Sequence, residues 1–397
     1  MVMDMVTAMG MDMAMVDMGI GERRKMKKKL RNKPVKKIII AVSILISVIL
    51  IIAVSAYLYV SSFIHKMNLV EDQDIITVSA SEMTGVDIET EILPEEEDVD
   101  VNVPEATETE IASLEDDIRN NMEKNQTEIL NDKDVLNILL IGSDTRKVGQ
   151  GGRSDAMILV SINKKNQHIA VTSILRDIYL KIPGYKQSNR INAAYAYGGA
   201  NLLMDTIEQN FKVKVDKYVA IDFFAFIDMV DAVGGVKLEV SEQEIPVINE
   251  YVLELNLLKK VNEDMDLLKK PGLLLLNGKQ ALGYARNRYV GNADFERTAR
   301  QRRVLEQTYT NLKNLNLNQL KDLLNKILPQ ITTNLSEGDI FSLLLSLPAI
   351  KNYEIEQGSI PVNDSYAGVK IRGMAVLSID FNKNISELQQ MIYREQQ

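Results

Sequence analysis

A layered α/β domain set behind a single membrane-spanning helix is the fold class this sequence predicts. Three observations point to it. From Leu136 onward, short apolar strand runs alternate with helical patterns and turn signals, as in a domain built from packed strand and helix layers. Ile38 to Val60 contains no charged residue, and at 1.5 Å rise per residue about 20 apolar residues cross a bilayer. Between the two lies an acidic stretch too charged and too poor in aromatics to build a core.

Residues 1–20 are a Met-rich, low-complexity run, and Met26 marks an alternative start. Residues 21–37 are densely basic, so 1–37 is expected as a cytoplasmic tail. A membrane helix is expected over 38–60. A cleaved signal peptide competes with that reading. The apolar run exceeds the about 7–15 residues of a signal core, and no small-x-small cleavage site follows. Basic residues precede the span and acidic ones follow it, which puts the amino end in the cytoplasm and the rest outside. Tyr57 and Tyr59 fall where interfacial aromatic residues sit. Residues 61–133, with EILPEEEDVDVNVPEATETE at their centre, are expected as an acidic extracellular stalk. A short helix is expected from Glu110 to Leu130 within it.

The globular domain is expected over 134–397. Leu136–Ile141 and Ala156–Ile162 are too uniformly apolar for half-exposed strands and read as strands buried on both faces. His168–Ile174 is a third. Gly199–Phe211 carries Leu202, Leu203, Thr206, Ile207 and Phe211 on one helical face. Val215–Asp222 reads as a strand, Phe223–Val233 as a helix stopped by Gly234 and Gly235, and Val236–Val240 as a strand. Residues 241–270 read as one or two edge helices packed on the core. Lys279–Tyr284 is a short helix, and another starts near Asn292 or Asp294. Amphipathic helices at Leu317–Ile327 and Ile340–Leu347, a strand at Val376–Phe381 and a helix at Ile385–Tyr393 complete the fold.

The 397 residues contain no cysteine and two histidines, His65 and His168, with a net charge of −9. A disulfide frame and a cysteine metal site are excluded, and a histidine triad is disfavoured. Chemistry must rest on carboxylates, arginines and a metal. Strand ends carry those groups. Asp144 follows the first strand, Arg153 and Asp155 open the second, and Arg176 and Asp177 close the third. Acids beside arginines on a Gly-rich loop suggest a site for an anion together with a divalent metal; a solvated hairpin loop is the alternative. Arg286 and Arg288 share a face if that segment is extended. Arg297, Arg300 and Gln301 fall three and four apart on a helix. With Arg302 and Arg303 they form a cluster poor in acids, and guanidinium forks bind phosphate oxygens in pairs. The basic amino segment adjoins the membrane span and no helix-turn-helix pattern is visible, so it is read as an orientation signal and not as a nucleic-acid site.

Seven pieces in order resemble the LytR-CpsA-Psr family of bacterial envelope proteins. They are NILLIGSDTR (Asn137–Arg146), GGRSDAMILVSIN (Gly151–Asn163), SILRD (Ser173–Asp177), RINAAYAYGG (Arg190–Gly199), VDAVGGV (Val230–Val236), LNGKQALGYARNR (Leu276–Arg288) and DFERTARQRRVL (Asp294–Leu305). The resemblance implies a three-layer α/β/α domain with a central mixed sheet and a long apolar pocket for a lipid tail. It implies a transferase that moves an anionic glycopolymer, such as wall teichoic acid or capsule, from a polyprenyl-pyrophosphate donor to peptidoglycan at the membrane of a Gram-positive-type envelope. Asp144 and Asp155 match the acids that hold Mg²⁺, with Mn²⁺ as a substitute. Arg176, Arg286 and Arg288 match pyrophosphate-binding arginines, and Gln301 a head-group contact. Arg153, Arg297 and Arg300 are expected in the same cluster, and Asp294 is a candidate for orienting or deprotonating the acceptor. The chain departs from the family where Leu175 replaces a usual Pro, where Asn292 replaces a common acid, and where Arg302 replaces a frequent Gln. A non-enzymatic polyprenyl-lipid binder or envelope scaffold on the same fold is the alternative.

Overall fold

The computed structural model describes residues 57–70, 103–124, 129–143, 152–291 and 293–394. The chain divides into two compact units, Met1–Ser62 and Phe63–Gln397. In the first, residues 57–62 are helical. The rest of the expected 38–60 span lies outside the described residues. Among the described residues no helix is long and apolar enough to cross a membrane.

The second unit is a mixed sheet with helices on both faces. In chain order its elements are β1 (Asn68–Leu69), α1 (Glu108–Lys124), β2 (Val135–Ser143), β3 (Ser154–Asn163), β4 (His168–Ile174), β5 (Tyr179–Leu180) and β6 (Asn189–Arg190). Then come α2 (Ala193–Phe211), β7 (Lys217–Asp222), α3 (Phe223–Ala232), β8 (Val236–Val240), α4 (Glu244–Lys259), β9 (Gly272–Leu276), α5 (Gly278–Arg286), α6 (Ala293–Leu312) and α7 (Leu317–Ile327). The chain closes with β10 (Thr332–Thr333), α8 (Glu337–Ile350), β11 (Glu354–Ile360), β12 (Tyr366–Ile371), β13 (Met374–Ile379) and α9 (Phe381–Tyr393). The sheet order is β1-β10-β7-β2-β3-β4-β11. β2 pairs parallel with β7 and antiparallel with β3, and β4 pairs antiparallel with β3 and parallel with β11. The carboxyl ends of β2, β7, β4 and β11 and the start of β3 therefore share one edge.

The continuous apolar runs are explained by two apolar sheet faces, but the two faces are covered differently. On one, Leu139, Ile141, Met157 and Leu159 pack against Leu203, Ile207 and Phe211 of α2 and Leu388 and Ile392 of α9 in the main core. Each such buried side chain contributes roughly 1.5–3 kcal/mol. On the other, Leu136, Leu140, Val160 and Val171 are only half-buried. The helices on that side keep cores of their own. Val230, Ile248, Val252, Tyr284 and Val304 pack with β8 and β9, and Phe223, Ile227, Leu255 and Leu282 form a second group.

The stalk expected over 61–133 is corrected at both ends. At its start, β1 pairs with β10 and so joins the sheet edge. At its far end, Ile118 on α1 is 1% exposed inside the main core, with Ile111 and Leu114 packed against it. These three recur three and four residues apart, one stripe on an otherwise acidic helix. Thr107 and Glu110 exchange the hydrogen bonds of a capping box at the start of α1. Tyr179 Oη and Ser188 Oγ donate to Glu115 at 2.8 and 2.6 Å. Acidic composition here conceals a packed helix that ends at Lys124, short of the expected Leu130. The expected Gly199–Phe211 helix is the longer part of α2; a short helical stretch from Ala193 precedes it across a break at Gly198 and Gly199, where Gly199 has φ 65°.

Candidate active site at the strand ends

Asp155 reaches its position through a defect in the sheet. Gly142 pairs with Ala156, but Ser143 pairs with Ser154. Asp155 is thus the unpaired extra residue of a β-bulge, a device that re-aims a side chain beside a site. Gly142 permits it: a Cβ there would meet the Ala156 Cβ at 3.2 Å. Asp144, the other expected acid, follows Ser143 directly and lies outside the described residues.

Arg176 Nη1 donates to Asp155 Oδ1 at 2.7 Å. Behind it, Asp177 stands between two arginines, its Oδ2 3.6 Å from Arg176 Nε and its Oδ1 3.5 Å from Arg190 Nε. Arg190 Nε also donates to the Ala375 carbonyl at 3.0 Å. Asp177 and Arg190 were not expected at the site. Their signal was the charged pair just past a strand end, with Asp177 read there as a neighbour of Arg176 and not as its support.

The arginines from the far part of the chain arrive on two helices. α5 opens with an Asn277–Gln280 capping box, and Gly278 N donates to Asp231 Oδ1 at 2.7 Å. Its last residue is Arg286, so the segment is helical there and not extended as the pairing with Arg288 assumed. The Arg286 guanidinium lies 4.5 Å from the Phe223 and the Tyr251 ring centroids, favourable to a cation on both sides. Its Nη1 is 3.9 Å from Glu254 Oε2. Arg288 is half-buried with its guanidinium 5.6 Å from the Tyr289 ring. Arg297, on α6, is buried.

Burial is the largest influence on the Asp155 carboxyl and pushes its pKa up. The charges of Arg176, Arg286 and Arg297 and the Arg176 hydrogen bond outweigh it, so the group is held below the ordinary carboxylate range. Strand β3, the loop after β4, α5 and α6 thus bring three guanidiniums to one buried carboxylate. Gln301 Nε2 reaches the Asp155 carbonyl at 3.5 Å. Arg153 is half-buried at the same strand end; burial raises the Tyr197 phenol, and the Asn189 hydrogen bond and the Arg153 charge oppose that only in part. The Tyr195 phenol, raised by burial, shares a hydrogen bond with Ser143 and faces Asp222. Asp294 lies in the first turn of α6.

Arg300 is a correction. Its Nε donates to Glu244 Oε1, its Nη1 to the Asn287 carbonyl and its Nη2 to the Val290 carbonyl, each at 2.8 Å. Every guanidinium nitrogen has a protein acceptor, and the residue ties α4 to the turn before α6. Adjacent residues on a helix stand about 100° apart. Arg297 and Gln301, four apart, share the Asp155 side, and Arg300 looks elsewhere. Arg302 likewise turns to Ser173 Oγ at 2.8 Å, and Arg303 to Glu296 Oε1 at 2.9 Å.

Mg²⁺ and Mn²⁺ take hard oxygen ligands. Asp155 fits that donor set, because a buried carboxylate kept ionised is the group such a cation requires. Ser154 beside it has a fully buried Oγ with no hydrogen-bond partner among the described residues. Among those residues no group of three or more acids or histidines converges on one point. Asp144, expected as the second carboxylate, lies outside the described residues.

A mixed α/β/α sandwich with a buried carboxylate and converging arginines at the carboxyl ends of its strands is the architecture of an anion-handling protein. The chain belongs to the LytR_cpsA_psr family, whose model matches residues 101–391, α1 included. The polyisoprenyl-teichoic acid–peptidoglycan teichoic acid transferase TagU of Enterococcus faecalis is 32% identical over 220 residues, which are 54% of this chain and 67% of that protein. The regulatory protein MsrR of Staphylococcus aureus is 30% identical over 251 residues, 63% of this chain and 72% of that one. Among solved structures, TagT bound to LI-WTA aligns with a TM-score of 0.52 at 28% identity, over 66% of this chain and 91% of that one. The protein gbs0355 of Streptococcus agalactiae aligns with a TM-score of 0.55 at 26% identity, over 69% and 89%.

Proposed function

We propose that this chain is a membrane-anchored transferase that moves an anionic glycopolymer, of the wall teichoic acid or capsule type, from a polyprenyl-pyrophosphate carrier to peptidoglycan. The observation that carries the reading is the convergence of Arg176, Arg286 and Arg297 on Asp155 at the strand ends. A pyrophosphate bears the charge that such a set of guanidiniums matches. The similarity to a teichoic acid transferase supports the polymer class.

In the proposed reaction an acceptor hydroxyl on the glycan strand attacks the phosphorus that bears the polymer. A new P–O bond forms to the acceptor, and the bond from that phosphorus to the bridging oxygen breaks. Polyprenyl phosphate leaves with the bridging oxygen. The hydroxyl proton passes to a base, for which Asp294 is the candidate. Arg176 is fixed between Asp155 and Asp177, and Arg286 between two aromatic rings; both are suited to clamp phosphate oxygens in line without reorganising. Mg²⁺ or Mn²⁺ held by Asp155 and Asp144 would neutralise further pyrophosphate charge when bound. The half-covered sheet face of Leu136, Leu140, Val160 and Val171 offers an apolar seat for the carrier's tail.

The test is release of polyprenyl phosphate by the full-length chain in detergent, with Mg²⁺, a lipid-linked teichoic acid precursor and a peptidoglycan acceptor. Release that depends on the acceptor is expected. No release with lipid-linked polymer and acceptor present overturns the transferase and leaves a lipid-binding protein.

A further inference from the structure

Helix α8 stands apart from the transfer chemistry. After Glu337 and Asp339 in its first turn, it has no charged residue through Ile350. Its apolar residues go all the way round. A helix of that kind ordinarily lies buried in a core. Here none of its residues is buried. Leu345 is 81% exposed and Leu347 52%, with Leu344 close behind. A contiguous apolar surface of this sort marks an interface with something outside the domain.

Chain connectivity says what covers it. His65 Nδ1 lies 3.0 Å from Oε1 of Glu337, the first residue of α8. Lys66 and Asn68 hold the same segment down through Asn325 and the Pro329 carbonyl. The span expected over 38–60 ends at Val60, five residues before His65, within a charge-free run that continues to Ile64. A chain extends at most about 3.6 Å per residue. A membrane span ending at Val60 therefore leaves the bilayer surface within about 18 Å of His65, whose side chain meets the start of α8. Lys351, exposed at the carboxyl end of the helix, suits anionic headgroups there.

We infer that α8 lies in the headgroup boundary of the bilayer, with Leu344, Leu345 and Leu347 in the acyl region, and seats the domain on the membrane. The inference rests on the anchored reading above, and the two are separable by experiment. The chain has no cysteine, so Leu345→Cys supplies a single thiol at an exposed position. The full-length variant, labelled with an environment-sensitive fluorophore, is reconstituted into phosphatidylcholine–phosphatidylglycerol vesicles. Asp364→Cys, in the exposed turn between β11 and β12, serves as the reference.

Blue-shifted Leu345 emission is expected, most of it lost to nitroxide-bearing lipid and little to aqueous iodide, with the reverse at Asp364. Iodide quenching without lipid quenching at Leu345 overturns the inference. So does equal lipid quenching at both positions. Shielding from both quenchers places a second copy of the chain on α8 and overturns it as well. Carbonate-resistant flotation reads the anchor separately. A chain that floats without lipid quenching at Leu345 refutes the seating of α8 alone. A chain that does not float refutes the anchor, and the inference with it.

Discussion

Two of the buried arginine–carboxylate pairs in this domain, both with contacts under 3 Å, differ in what surrounds them. In one, Arg300 meets Glu244 at 2.8 Å, and two backbone carbonyls take its other nitrogens. Ser241 N and Oγ occupy the remaining Glu244 oxygen at 2.8 and 2.9 Å. In the other, Arg176 meets Asp155 at 2.7 Å, and Arg286 and Arg297 face the same carboxylate. The pair distances are nearly equal, so distance does not separate a structural pair from a functional one. Stoichiometry does. The first pair is matched acceptor for donor and leaves nothing for a ligand to complete. In the second, Arg176, Arg286 and Arg297 all act on Asp155, and the neighbouring carboxylates stand farther off, Asp177 3.6 Å from Arg176 and Glu254 3.9 Å from Arg286, contacts looser than the 2.7 Å pair.

Truncation should separate the two most sharply. Arg300→Ala leaves Glu244 buried without its cation and two carbonyls without a donor. It should cost about 3–5 kcal/mol of unfolding free energy, read by denaturant titration. A loss under about 1 kcal/mol, the range of a surface pair, would mean the pair is not sealed. Arg176→Ala should cost less stability, because Arg286 and Arg297 still face Asp155. It should lower polyprenyl phosphate release by about 10²–10³-fold, the range for removing one preorganised donor from an anionic centre. If both variants lose stability alike and Arg176→Ala keeps its activity, the contrast between the pairs collapses.

Acid offers a second separation. Asp155 and Glu244 both have pKa values lowered in the folded state: burial raises each, and bonded partners and arginine charge overcome it. A group lowered in this way contributes stability above its unfolded pKa, near 4. That contribution disappears as pH falls through the folded value. Stability should therefore be flat above about pH 5 and fall below about pH 4, each carboxyl adding up to about 1.4 kcal/mol per pH unit. Asp155→Asn should make the fall shallower. An unchanged slope would show that Asp155 does not titrate below its ordinary range.

Much of this was legible in the sequence, and the reasons are particular. Asp155 and Arg176 stand out because each abuts a continuous apolar run, so the strand end is visible without the fold. The arginine cluster is visible as composition. Its division is not: Arg297, Arg300 and Gln301 look equivalent by spacing, and only the placement of β3 and α4 decides which faces Asp155. Glu244 lies 56 residues from Arg300 in a segment where charges and leucines alternate without a clean period, so nothing local names it as a partner. α1 went unrecognised as part of the domain because its net composition is a spacer's. The stripe of Ile111, Leu114 and Ile118 was the signal that composition averaged away. α8, read as amphipathic, is apolar all round; the period-3.6 pattern of its leucines says helix but not what covers them.

The smallest expected effect bears on the sealed pair alone. Ser241 donates two hydrogen bonds to Glu244 Oε2, one from its backbone N and one from its hydroxyl. Ser241→Ala removes the hydroxyl bond and keeps the backbone one. Glu244 remains paired with Arg300, so no charge is left uncompensated. The loss should be that of one hydrogen bond to a charged group, about 1.5–3 kcal/mol at most, and nearer 1 kcal/mol because the pair is at the end of a helix with a backbone donor in place. Transfer activity should not change, since neither residue faces Asp155. A drop in release at unchanged stability would connect the α4 pair to the strand-end site and remove the distinction between a pair that holds the fold and a pair that waits for an anion.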